Sequence, residues 1–197
     1  MPNWPSDIDP QSGFRLPLLR REDMDEAGRQ ALDRAAAPGA SIAGLQGPSG
    51  IHLYSKASEH LRALNRHLRY QSGLSPRVRE IAILTTAREM DSQFEWVAHE
   101  SEALKEGVER PVIDAIKHRR STAGLAEDAA IIIALGREMF RDHKVTPETF
   151  ATAKAQFGPH LLVDLVLLMG NYAGTAALLC AFDMQLHAGK EPLLPIP

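Results

Sequence analysis

A chain of 197 residues, 44% hydrophobic and 24% charged, is long enough to bury a large core, and its one cysteine, Cys180, excludes an internal disulfide framework. Its 22 basic and 25 acidic residues leave a formal net charge of −3 with no basic block, which argues against a nucleic-acid surface. The opening MPNWPSDIDPQ has no basic region and no apolar core, so it does not read as a signal peptide, and the lone cysteine fits a reducing cytoplasm.

The expected elements are helical nearly throughout. Residues 1–21 are Pro-rich and read as an irregular arm over the surface. Residues 22–36 form a charged amphipathic helix. APGASIAGLQGPSG, residues 37–50, is a loop, either a plain connector or a mobile edge of a pocket. Residues 55–71 form the next helix, with Leu61, Leu64 and Leu68 as its apolar stripe and its basic side chains pointing away. Ser75 is a good N-cap with Pro76 at the first helical position, which starts a helix over 75–90. A helix over 92–106 follows, stopped by Gly107. Further helices span about 110–119 and 126–141, Thr146 caps a restart at Pro147, and the last helix runs from near Pro159 to about His187. No strand pairing, G-x-G-x-x-G, P-loop or G-x-S-x-G is present. The expected fold is all-α, a single-domain bundle of seven or eight helices over 22–190, with a tail at 191–197.

Residues Leu165–Phe182 carry no charge over 18 positions, which is at the threshold for a membrane span. Asn171 and two glycines lower the apolarity, and Asp164 and Asp183 bracket the run, so a buried helix is expected and no membrane contact. Gly170 and Gly174 would let a second helix come close, and this uncharged face predicts a homo-oligomer.

The segment DSQFEWVAHE, residues 91–100, has three readings. Ser92 and Glu95 match a capping box, with no function implied. Glu95 and His99, four apart on one helix face, could share a metal. The H-E-x-x-H pattern is broken at Ala103, however, and no other tight histidine pair exists, so no metal is expected. The third reading is an acid–base site. Glu80 lies eleven residues before Asp91 and His99 eight after it, so an antiparallel hairpin brings the two to similar heights. A Glu–His pair there is either a proton-transfer unit or a structural bridge.

LSPRVREIAILTTAREMDSQFEWVAHESEALKEGV resembles the signature hairpin of the carboxymuconolactone decarboxylase family, whose all-helical fold is alkylhydroperoxidase-D-like. The matching residues are Arg77, Glu80, FEWVAH and ALKEG, and the flanking GPSGIHLYS and FGPHLLVDLVLLMGNYAG also look like longer members. The peroxidase branch carries C-x-x-C before its histidine; here Ser92 and Glu95 take those positions, and neither can form a disulfide. A thiol-type hydroperoxide reductase is therefore disfavoured. The resemblance instead implies a decarboxylase, or a related lactone lyase, hydrolase or isomerase, from aromatic catabolism, needing no cofactor. It implies His99 as acid or enolate stabiliser, Glu80 as its orienting partner and Glu95 as a second proton-handling group. An anionic substrate needs cations, for which Arg77 and Arg15 are the candidates, with Trp96 and Tyr172 as further substrate contacts. The resemblance also implies trimers or hexamers. A non-catalytic helical binding protein, with Glu80–His99 as a bridge, is the alternative.

Overall fold

The computed structural model describes residues 4–196. Residues 1–3 of the expected arm and residue 197 of the expected tail lie outside the described residues. Among the described residues there are eight α-helices and no strands: α1 Glu26–Ala36, α2 Pro48–His52, α3 Ser58–Tyr70, α4 Pro76–Glu89, α5 Gln93–Lys105, α6 Arg110–Lys117, α7 Glu127–Phe140 and α8 Pro147–Ala181, with a 3-10 turn at Arg21–Asp23 before α1. The chain divides into two compact units, Met1–Leu64 with Ala177–Glu191, and Asn65–Ala176 with Pro192–Pro197.

In the first unit, the N-terminal arm is more than a surface wrap. Phe14 is fully buried, and Arg15 N–H donates to Phe182 O while Gln185 N–H donates to Gly13 O. The expected loop 37–50 overlaps a short helix, α2, because Pro48 sits in its first turn. On α3 the expected stripe holds only in part. Leu64, the last α3 residue of this unit, is 40% exposed, whereas Leu68, on the part of α3 in the second unit, is fully buried.

The second unit is built around α4. Ten successive residues, Arg79 to Arg88, are buried, so the helix is enclosed on all sides rather than on one stripe. Ser75 starts it as expected, its side chain accepting from the Val78 N–H. Its apolar side chains share one core with Leu68, Trp96, Ile116, Ile132, Leu165 and Met169. Helix α4 ends in a Schellman arrangement: Ser92 N–H donates to Ala87 O and Asp91 N–H to Arg88 O. Asp91 takes the left-handed position at φ 48°, where glycine is usual. Its carboxylate is held there by Arg88 and by Arg119.

The expected restart at Pro147 and the expected last helix from near Pro159 run together as α8, and only the far end differs from expectation. It begins at Pro147, with the Thr146 side chain accepting from Thr149 N–H, and closes at Ala181 rather than near His187. Gly158, at φ 71° before Pro159, breaks it into two helical pieces. On length and composition alone it could cross a membrane. Its core edge carries Leu162, Leu165, Leu168, Met169 and Tyr172, while Val163 and Leu167 are exposed. The segment after it is tied down as well. Gln93 accepts from the N–H groups of Leu193 and Leu194 and donates to Leu194 O, and Leu194 joins the core.

The approach of α7 to α4 rests on Gly136. A Cβ there would lie 2.5 Å from Thr85 Cγ2 and 2.7 Å from Met169 Cε. Helix propensity alone favours Gly136→Ala by up to ~1 kcal/mol. Overpacking costs about 1–3 kcal/mol and should win. The variant is expected to melt below the wild type, and a raised melting temperature would contradict this packing account.

Candidate active site

Helices α4 and α5 form the expected antiparallel hairpin, and it brings Glu80 and His99 together. Glu80 Oε2 and His99 Nδ1 are 2.8 Å apart, with both side chains buried. Burial pushes the Glu80 carboxyl upward, but the bond to His99 and then the guanidinium groups of Arg69 and Arg79 outweigh it and hold Glu80 below the ordinary carboxylate range. An ionised carboxylate only accepts, so the shared hydrogen is assigned to Nδ1. That leaves Nε2 as the nitrogen facing Glu95, whose Oε2 is 4.0 Å away.

Glu95 is not a cap. Ser92 makes no side-chain cap bond, and Glu95 turns inward and is buried. The capping-box reading is therefore corrected: one helical turn carries Glu95 and His99 on the same inward face. Burial pushes the Glu95 carboxyl up to about 7, against the smaller opposing pull of His99 and Arg69. The site thus contains two buried carboxyls with different protonation at neutral pH, a pattern that separates acid from base. At 4.0 Å apart, His99 Nε2 and Glu95 Oε2 are both within hydrogen-bond reach of one atom lying to the side of the pair.

Tyr172 also reaches the site. Its ring meets the imidazole edge-on, with centroids 5.3 Å apart, and the Asn65 side chain lies near enough to act on its hydroxyl. Burial holds its phenol well above the ordinary value, so it stays protonated. The other expected substrate contacts are committed elsewhere. Arg77 pairs with Glu109 at 2.8 Å and Asp128 at 2.6 Å, fastening α4 to the segments that begin α6 and α7. Trp96 is fully buried, donates to Glu100 at 2.6 Å and lies beneath the Lys117 ammonium, so it is a core anchor. Arg15 belongs to the first unit, where it pairs with Asp7 and donates to Ala181 O.

The cations that act on Glu80 are Arg69 and Arg79, at 3.7 Å and 3.6 Å from Oε1. Sequence reasoning missed both: Arg69 because the basic side chains of α3 read as pointing away, and Arg79 because the reading of α4 stops at Arg77 and Glu80. The signal was there in the spacing: Asn65 and Arg69 flank Leu68 on the turns that face inward. Glu80 and Glu95 lie on opposite nitrogens of the imidazole and do not converge on one point. Among the described residues, no three His, Cys, Asp or Glu side chains form a metal-holding set.

Residues 56–135 match the sequence model of the Carboxymuconolactone decarboxylase family. The segment belongs to the carboxymuconolactone decarboxylase family. That stretch contains Arg69, Glu80, Glu95 and His99, whereas Tyr172 comes from beyond it. The all-helical architecture is the alkylhydroperoxidase-D-like fold of this family. No curated protein matches the chain.

The burial of Glu95 generates a pH test. Its folded-state value of about 7 lies above the ordinary 4.5, so between those values the folded state binds more protons than the unfolded one. Its contribution to stability is then fully present below about pH 4.5 and is lost as pH rises through about 7. Glu95→Gln cannot ionise. Its melting temperature relative to wild type should climb between pH 5 and pH 8. A difference that stays flat with pH would mean Glu95 ionises normally.

Proposed function

We propose that this protein is a carbon–carbon lyase that removes CO2 from a carboxylated, unsaturated lactone or a similar intermediate of aromatic breakdown. The observation that carries the reading is the buried row Glu80–His99–Glu95, with an ionised carboxylate at one end and a protonatable one at the other. In such a substrate the C–CO2 bond breaks and its electron pair moves into the conjugated carbonyl, giving an enolate. The substrate is its own electron sink, so the reading requires no cofactor. The enolate oxygen would lie beside His99 Nε2, which steadies it when that nitrogen also carries a hydrogen to donate, the imidazolium charge then being balanced by Glu80; Glu95 delivers a proton to carbon and regains one from water. Relative to the sequence-based expectation, the proton donor shifts from His99 to Glu95, because Glu95 is the carboxyl that burial keeps protonated.

A dithiol peroxidase has no support in the residues present, since Ser92 and Glu95 stand where its cysteines would be and the chain has one cysteine. A non-catalytic role remains the competing reading, because a buried Glu–His bond also ties two helices together.

Turnover and melting of three variants on carboxylated unsaturated lactones separate the two. His99→Gln should keep its fold and lose roughly 10²- to 10⁴-fold in turnover. Glu95→Gln should fall by a similar factor if Glu95 supplies the proton. Glu80→Gln leaves two guanidinium groups facing a neutral amide, so it should lose stability as well as activity. Wild-type turnover by His99→Gln would remove the acid–base reading. The proposal also includes self-association, supported by the exposed Phe150, Val163 and Leu167 on α8, at 52%, 58% and 47%. A monomer mass by light scattering at micromolar concentration would remove that part.

A further inference from the structure

Arg69 has a position that the reaction scheme above does not use. It stands in the last turn of α3 with its side chain only 14% exposed. Its nearest carboxylate oxygen, Glu80 Oε1, is 3.7 Å away, beyond a hydrogen bond. Its guanidinium carbon lies 5.2 Å from the centre of the Tyr70 ring. Its Nε is buried with no hydrogen-bond partner. Arg79, the other cation beside Glu80, shares the buried unpartnered Nε and the Tyr70 contact, and differs in that its Nη1 donates to the Arg69 carbonyl. Arg77 and Arg88 likewise donate to carboxylates of their own.

A guanidinium offers five N–H donors in a fixed plane, and leaving them without acceptors in a buried place is costly. The charge points the same way. Arg69 and Arg79 bring two positive charges against one ionised carboxylate, Glu80, while Glu95 is largely neutral below about pH 7. Glu80, Glu95 and Tyr172 all act electrostatically on Arg69, so the cation lies in the same field as the reacting groups.

We infer that Arg69 is the substrate-binding residue for an oxyanion, and that its ligand is a planar carboxylate on an unsaturated ring, gripped by the guanidinium fork next to His99 and Glu95. This rests on the lyase reading for its substrate class, but it concerns binding alone. Arg77 and Arg15, which the sequence suggested for this task, already have carboxylate partners. A fork-to-carboxylate contact is planar and bidentate, so lysine is a poor substitute.

The test uses 2-furoate, a flat ring carboxylate that does not react, and furfuryl alcohol, its neutral counterpart. Binding is followed by calorimetry and by the arginine Nε–H resonances. The wild type should bind furoate and not the alcohol, with movement of one arginine resonance that is missing from the spectra of Arg69→Gln and Arg69→Lys. Arg69→Gln should weaken furoate binding at least tenfold, Arg69→Lys should recover part of it, and Arg15→Gln should bind as wild type. If Arg69→Gln is unfolded, the wild-type resonance and Arg69→Lys still decide. Equal binding of acid and alcohol, unchanged binding in Arg69→Lys and Arg69→Gln, or no binding of millimolar furoate by the wild type overturns the inference. The two readings fail separately. Furoate binding that needs Arg69 with no lactone turned over sinks the lyase and keeps the anion site; turnover that needs His99 with KM unmoved in Arg69→Gln does the reverse.

Discussion

A carboxylate in the middle of a hydrophobic helix sets the terms for the second unit. Glu80 is buried on α4, whose neighbours Ile81 to Leu84 are fully buried. A lone charge there would cost several kcal/mol, and it survives because His99 hydrogen-bonds one oxygen and Arg69 and Arg79 stand near the other. Three segments, α3, α4 and α5, must therefore meet at one place. The requirement that satisfies the charge is also what assembles the acid–base pair.

The two ends of that arrangement differ in what surrounds them. Glu80 is matched by donors and cations; Glu95, one turn before His99, is pushed toward its neutral form by burial, against a smaller pull from His99 and Arg69. The same side-chain chemistry thus takes two protonation states because the packing differs, not the residue. Tyr172 contributes a third kind of group, a phenol that burial keeps protonated and that closes one edge of the imidazole.

Much of this was legible in the sequence. Helix spacing and the turn at Asp91 suffice to place Glu80 opposite His99, because a hairpin's geometry follows from rise per residue. The Ser75 cap and the Gly107 stop are local signals, and local signals are what a sequence carries best. Glu95 was ambiguous for a physical reason: S-x-x-E serves a cap or an inward face equally well, and only tertiary packing decides. Arg69 was invisible because a basic residue at a helix end is solvated in most settings, and its burial depends on α4 lying beside it. Arg77 misled in the opposite way. It is one turn from Glu80 in sequence, but Glu109 and Asp128, thirty-two and fifty-one residues away along the chain, claim it.

The left-handed Asp91 at the end of α4 has a bearing on how this segment can change. The Schellman closure fixes the phase of α5 relative to α4, with no slack residue between Met90 and Gln93 to absorb a shift. One inserted residue would turn α5 by about 100° and swing His99 off Glu80, whereas a substitution at Asp91 leaves the phase alone. The connection is therefore a place where length is constrained more tightly than identity. Gene-level insertions and deletions should be tolerated in the long segment before α3 and not here, although both are loops by appearance.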